Sequence, residues 1–442
     1  MTRRRQVHGR RGRAIGNPVA TREHTSSGPR IHPAWWVALA AGTVYFVQGG
    51  LGSYAIGVLL PVWVAQEGWS RTAISTGYAM TTLVPGLAGV WVGRWTDQHG
   101  SRGIIVAGAL ITGLSYLLLA GATSLTLFFL VFALGAVGRS GMSQVPVSAA
   151  VARWFVDKRG LAMGLAVSGI SLAGVVLVPV VSWMIGTFGW RVSVAALGVG
   201  LWLLVIPMVW WAMRGAPHDL GVEPYGAGRP ASVRRMRRAQ PAATSLSAAM
   251  AGPAFWLLAI ALTLGHAGSN SIGLHALPAI LDKGVSSTEA ATAISLMAGC
   301  SIFGKVAFGW LSDRFGSASL LVAAYLCQIG GFILLALAGA GLGVWAFALL
   351  YGLSLGGTVT LQPTVVADRF GVLAYGAIYG ALGLPLALVS SSSPIVAGAI
   401  RDLTGSYAAA FLAFAASSAL GIGGMMLAFA VGRDRGEMER PE

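Results

Sequence analysis

The chain has 442 residues, of which 55% are hydrophobic and 10% charged. Soluble globular proteins carry roughly 25% charged residues, so the composition points to an all-α membrane protein. The formal charge of +15 is concentrated in tails and loops, which suits a lipid bilayer with anionic headgroups and argues against nucleic acid. Cys300 and Cys327 fall inside apolar stretches with no Cys/His spacing suited to zinc, so neither a metal nor a cofactor is expected.

Residues 1–32 open the chain with eight arginines and no long apolar run, and read as a disordered basic cytoplasmic tail. A membrane-spanning helix takes about 20 apolar residues. Between charged or turn-rich breaks the first half offers six such segments, at 34–64, 71–92, 103–122, 125–151, 160–187 and 190–213. Residues 214–251 interrupt the series with Arg214, Arg229, Arg234, Arg235, Arg237 and Arg238 among Pro, Gly and Ser, and read as a cytoplasmic linker. Six more segments follow at 253–281, 288–310, 317–338, 341–366, 372–399 and 406–431. The expected organisation is twelve transmembrane helices in two six-helix bundles, 33–213 and 252–432, closed by a cytoplasmic tail over 433–442.

Lys and Arg placement sets the orientation. With the N-terminus in the cytoplasm, 24 of the 30 basic residues fall in cytoplasmic segments and four in outer loops, at Arg71, Arg191, Lys283 and Arg401. The expected location is the plasma membrane, the inner one of a bacterium, with both termini cytoplasmic. The remaining two cations, Arg139 and Lys305, lie inside spans.

The two halves repeat each other. The stretch GRWTDQHG at 93–100 and GWLSDRFG at 309–316 align at an offset of 216 residues, pairing Gly93 with Gly309, Asp97 with Asp313 and Gly100 with Gly316. The same offset pairs Ser70 with Ser286, Thr72 with Thr288, Gly160 with Gly376 and Gly164 with Gly380. A duplicated bundle with its binding site between the copies is a secondary-transporter architecture. Glycine permits a tight turn, and an Asp at a helix end accepts hydrogen bonds from a neighbouring helix N-terminus. Such a contact, made in one conformation only, would act as a latch, so the candidate gating residues are Gly93, Asp97, Gly100, Arg102, Gly309, Asp313, Arg314 and Gly316.

Here the chain resembles the major facilitator superfamily, whose loop between helices 2 and 3 carries Gly-x-x-x-Asp-x-x-Gly-x-Arg/Lys. Gly93, Asp97, Gly100 and Arg102 fill that pattern, while the second copy has Ala318 at the final basic position, so the first copy is expected to matter more for gating. Residues 153–169, RWFVDKRGLAMGLAVSG, are similar to the helix 5 signature of monocarboxylate transporters through Trp154, Phe155, Lys158, Arg159, Leu161, Ala162, Gly164, Leu165, Ala166 and Gly169. Trp154 and Phe155 read as membrane-interface aromatics, and Gly160, Gly164 and Gly169 as close-packing positions. Trp69 resembles that family and its bacterial oxalate/formate relatives. The resemblance implies the major facilitator fold and alternating access.

A charge at the bilayer centre costs at least about 2.5–3.5 kcal/mol on insertion scales. None of the fifteen Asp and Glu residues lies mid-span, so the interior cations lack an obvious carboxylate partner and favour an anionic ligand. In the resembling family an arginine at the position of Lys305 binds the substrate carboxylate, which makes Lys305 a substrate-ligand candidate without the bidentate fork. Lys305 is also one turn from Gly309, so snorkelling to the membrane surface stands as a second reading. Arg139 lies near the midplane in its span, and is read either as a cavity cation or as a structural hydrogen-bond donor. Gln144 follows it. His266 and Asn270 are four apart on one helical face, and His275 lies further on, with a histidine as a possible proton carrier. Ser301 shares a face with Lys305. Tyr54 stands where animal monocarboxylate carriers have a lysine, which leaves proton symport and anion exchange both open.

The leading reading is a secondary active transporter of a small organic anion, a carboxylate by resemblance, working as a monomer, with protons as a candidate coupled ion. An exporter of drugs or other amphiphilic solutes and a transporter-like sensor remain as alternatives. No span carries paired carboxylates, a metal cluster or a Ser/His/Asp set, so catalytic residues and an enzyme are not expected.

Overall fold

A computed structural model describes residues 32–227 and 244–431. The basic tail expected over 1–32 (save His32), the linker arginines from Arg229 to Arg238 and the 433–442 tail lie outside the described residues. The spans are α1 (Pro33–Glu67), α2 (Arg71–His99), α3 (Ser101–Ala120) and α4 (Leu125–Trp154). A continuous run Arg159–Ala212 is two helices meeting at Gly189, whose φ of 75° and ψ of 165° are not helical, giving α5 (159–188) and α6 (190–212). The second half holds α7 (Pro253–Leu281), α8 (Ser287–Phe315), α9 (Ser317–Leu337), α10 (Leu342–Phe370), α11 (Tyr375–Thr404) and α12 (Ala408–Ala430).

Ten of the described helices are long and apolar enough to cross a membrane. Dividing one of them at Gly189 and adding α2 gives the twelve expected from sequence. α2 is less apolar because it carries Thr and Ser residues and ends in Arg94, Asp97 and His99, and it packs along α11 of the other bundle. Helices suit this setting because every interior backbone group is satisfied within the segment.

The repeat is visible in the local chemistry. Ser70 caps α2 by accepting from Ala73 N–H at 3.1 Å, and Ser286 caps α8 by accepting from Glu289 N–H at 3.2 Å. Gly100 and Gly316 close α2 and α8 at φ of 80° and 87°, a left-handed region that favours glycine. The α2 helix runs seven residues past the end expected at 92, so Gly93 to His99 form its last turns and Gly100 is the turn itself. Likewise α4 ends at Trp154 and α5 begins at Arg159, which separates the helix 5 signature into a helix end, a loop and a helix start.

The bundles meet along two seams, α2 against α11 and α5 against α8. Small residues allow backbones to approach there. A Cβ on Gly93 would overlap the Gly376 carbonyl, one on Gly160 would overlap the Gly309 carbonyl, and one on Gly164 the Lys305 carbonyl. Three α-helices are broken near mid-span: α1 by a π-helical segment at Gly50–Tyr54, α4 at 142–143 and α7 at 267–268.

Candidate functional site

Asp97 and Asp313 each cap a helix of the opposite bundle. Asp97 Oδ1 accepts from Gly376 N–H at 2.9 Å and Oδ2 from Ala377 N–H at 2.8 Å, in the first turn of α11. Asp313 accepts from Gly160 N–H at 3.0 Å and Leu161 N–H at 3.1 Å, in the first turn of α5. First-turn N–H groups have no partner inside their own helix and carry the positive end of its dipole, so a carboxylate is their natural acceptor. Arg153, at the end of α4, adds an ion pair to Asp97 at 2.7 Å, and its Nη1 donates to Thr96 O at 3.0 Å.

Further contacts join the bundles on the same side. Arg159 pairs with Asp368 at 3.1 Å, and Ser317 Oγ donates to the other oxygen of that carboxylate at 2.6 Å. The Tyr375 hydroxyl lies 3.1 Å from Ser148 Oγ, and Gln144 Nε2 donates to Val359 O at 3.3 Å. These contacts run from the middle of the spans to the face where α1 begins and α12 ends.

Lys305 lies in the α5–α8 seam and is 3% exposed. Its Nζ donates to Ser171 Oγ on α5 and to Ser301 Oγ on its own helix at 3.2 Å. Both partners are neutral, and the side chain reaches back along α8 rather than toward the membrane surface. Arg139 is placed differently. It sits inside the first bundle, where Nη1 donates to Gln48 O at 3.4 Å and a Cβ on Gly52 would overlap its guanidinium. The π-helical widening of α1 and the missing side chain at Gly52 therefore make its room. The two interior cations share no partner among the described residues.

The profile of the Major Facilitator Superfamily matches residues 42–394. The chain belongs to the major facilitator superfamily. Among curated relatives it is similar to monocarboxylate transporter 13 of Bos taurus, at 29% identity over 327 residues covering 72% of this chain and 71% of the relative. Monocarboxylate transporter 11 of Mus musculus is 29% identical over 409 residues, covering 86% and 83%. Among solved structures, the transporter FucP in its outward conformation superposes with a TM-score of 0.66 at 13% identity, covering 90% of this chain and 99% of that one. A double Trp mutant of XylE superposes at 0.69 and 14% identity, covering 89% and 95%. At such identities the structural likeness speaks for the major facilitator fold alone. The superfamily is one of transporters, not enzymes.

The other sequence-derived candidates of this superfamily member scatter through both bundles. α7 is interrupted at 267–268, between His266 and Asn270, and the two side chains bond to different helices. His266 Nδ1 lies 3.4 Å from Gln362 Nε2 on α10, while Asn270 Nδ2 donates to Ser390 O on α11 at 3.1 Å. His275 Nε2 is 2.9 Å from Pro394 O, and its ring is 5.1 Å from that of Tyr407. The Tyr54 ring packs against Gly174 of α5. Arg102 lies over the Trp210 ring at 3.6 Å, within its own bundle, and Arg314 over Trp310 at 4.1 Å.

Four residues escaped the sequence reading. Arg153 was read only as a basic residue on one side of the membrane, and Ser171 gave no signal among so many small residues. Gln328, 1% exposed, ties the second bundle together by donating to Gly265 O at 2.6 Å and Ser418 Oγ at 3.0 Å. Tyr225 straps the segment after α6 to the α4–α5 loop. Its carbonyl accepts from Val156 N–H at 3.1 Å and Asp157 N–H at 3.0 Å, and its own N–H donates to Trp154 O at 2.9 Å. Trp154 and Phe155, read from sequence as interface aromatics, are buried at 2% and 0% exposure beneath Trp35 and that strap. The anchored loop joins the helix end that bears Arg153 to the helix start that bears Arg159.

Proposed function

We propose that this protein carries a small organic anion, a monocarboxylate by preference, across the plasma membrane by alternating access, with Lys305 as the anchoring charge. The observation that carries the reading is the Lys305 environment. An ammonium group has three donors. Two go to hydroxyls on opposite bundles, no carboxylate is among its described partners, and its charge is withdrawn from water. A carboxylate supplies both the missing acceptor and the countercharge. Because Ser171 and Ser301 belong to different bundles, any rocking of the bundles changes what Lys305 can bond. That gives the substrate a different affinity in each state, which transport requires. The names of the monocarboxylate transporter relatives support the substrate class. The placement of Lys and Arg supports a cytoplasmic position for the latch face, so this conformation is the one closed toward the cytoplasm.

The test is uptake into proteoliposomes from a panel of short carboxylates, with neutral amphiphiles as the contrast. Wild-type uptake of carboxylates, lost in Lys305→Ala and partly kept in Lys305→Arg, is expected. Transport of the neutral amphiphiles, untouched by Lys305→Ala, would overturn the anion reading in favour of an exporter of such solutes. A pH gradient imposed in the same vesicles separates proton symport from exchange. Proton-driven flux that persists in His266→Gln and His275→Gln would remove those histidines as carriers.

A further inference from the structure

Arg139 has its own cavity, apart from the seam that holds Lys305. This cavity, about 20 Å³, lies within the first bundle between α1, α2, α3 and α4. Its walls are largely apolar, with Trp63, Leu119 and Phe132 among them. Arg139, Thr112, Ser115, Tyr116 and Thr81 bring polar atoms to it. Three of those hydroxyls already donate to backbone carbonyls: Ser115 to Thr112 O at 2.7 Å, Thr81 to Tyr78 O at 2.7 Å and Tyr116 to Leu51 O at 2.5 Å. Two polar atoms are left over. Arg139 Nε and Thr112 Oγ1 are both buried without a hydrogen-bond partner among the described residues. Arg139 spends one N–H on Gln48 O at a long 3.4 Å.

A guanidinium presents five donors and cannot give up its charge. Buried donors and buried charges are costly unless answered. Among the described residues no Asp or Glu lines the cavity, so none of them supplies an anion there. Its volume holds one water-sized body, since a water needs about 10–15 Å³ by this measure. A carboxylate with its carbon skeleton is too large.

We infer that the Arg139 cavity is a site for a single monoatomic anion, chloride being the abundant one, held by the Arg139 guanidinium and the Thr112 hydroxyl. The site is distinct from the Lys305 anchor and does not depend on what Lys305 carries. Bound there, the ion neutralises the Arg139 guanidinium and fixes the π-helical segment of α1 against α4. Substrate chemistry then rests with Lys305 alone.

The full-length protein in detergent is unfolded thermally in sodium chloride and in sodium methanesulfonate, whose anion is not a carboxylate and is larger than the cavity, at equal ionic strength and pH. The wild-type midpoint should rise saturably with chloride, by a few degrees at saturation. Bromide should do the same. The rise should vanish in Arg139→Gln, shrink in Thr112→Val and persist in Lys305→Gln. A wild-type midpoint indifferent to chloride, with water alone in the cavity, overturns the inference. So does a chloride effect that survives Arg139→Gln, or one abolished by Lys305→Gln, which would put the ion at the substrate anchor. Should Arg139→Gln fail to fold, anomalous scattering from bromide-soaked wild-type crystals decides. A peak beside Arg139 is required, and its absence refutes the site.

Discussion

Removing one latch carboxylate is the most direct way to read the balance between conformations. Asp97 makes two charge-assisted hydrogen bonds to the α11 N-terminus and an ion pair to Arg153, with its side chain 11% exposed and that of Arg153 17%. Hydrogen bonds to charged groups contribute about 1.5–3 kcal/mol each. Once the bundles part, water takes over the freed groups, so only part of that sum separates the two states. A net of about 2–3 kcal/mol per latch follows, equivalent to roughly a 30- to 150-fold change in the ratio of conformations. Asp97→Ala should therefore move the population strongly toward the state open on the latch face, and Asp313→Ala should do so by a similar mechanism at the other seam. Spin labels at Ser75 and Leu403, at the far ends of α2 and α11, report this by double electron–electron resonance after Cys300 and Cys327 are replaced. The label distance should shorten in either variant. A distance distribution identical to the wild type in both variants would show that the latches hold no conformational free energy, and the reasoning would fail.

Other consequences follow from the same geometry. Gly93→Val places side-chain atoms where the Gly376 carbonyl stands, so the latch-closed label distance should be lost, with an overpacking cost of about 1–3 kcal/mol. Gln328→Leu removes the donor to Gly265 O and Ser418 Oγ and the acceptor of the buried Ser354 hydroxyl in the second bundle. At about 1–3 kcal/mol per unsatisfied buried group, the unfolding midpoint in detergent should drop by several degrees. Asp368→Ala removes an ion pair whose carboxylate is 42% exposed, so its effect on the label distance should stay within the range of about 0–1 kcal/mol, well below that of Asp97→Ala. Tyr225→Ala keeps the main-chain hydrogen bonds but removes the ring packed on Trp35 and Phe155, which should loosen the α4–α5 loop, visible as faster hydrogen exchange at Val156 and Asp157.

The architecture was legible because its signals are repetitive. Apolar length, glycine turns and one offset kept across several segments fix twelve helices and two halves without any knowledge of contacts. The site was legible only in part, because depth in a span can be read from sequence whereas the direction a side chain faces cannot. Arg139 illustrates the difference. Its position near mid-span is plain, but the π-helical segment of α1 and the absent side chain of Gly52 turn its room toward the interior of its own bundle. His266 and Asn270 show the same thing, since residues four apart bond to different helices, Gln362 of α10 and Ser390 of α11. Ser171 matters solely because Lys305 reaches it from another helix, a relation no local pattern encodes.

The repeat also holds information that alignment conceals. Alignment pairs Gly93 with Gly309 and Gly160 with Gly376, but in space the partners are exchanged, Gly93 against Gly376 and Gly309 against Gly160. That exchange is what a pseudo-two-fold axis between the halves demands, so the two latches are one device used twice. Function then has to come from positions where the repeat breaks. The counterpart of Lys305 at the offset of 216 is Gly89, and that of Ser171 is Ala387. In the α2–α11 seam Gly89 packs against the Gly380 backbone with no room for a side chain. In the α5–α8 seam the equivalent place holds a buried ammonium group. Arg139 likewise answers to Leu355. The symmetric residues join the two bundles by the same contacts at both seams and so offer the same chemistry at each. The two unmatched cations, Lys305 in one seam and Arg139 within the first bundle, are therefore the positions on which the proposed preference for negative charge rests.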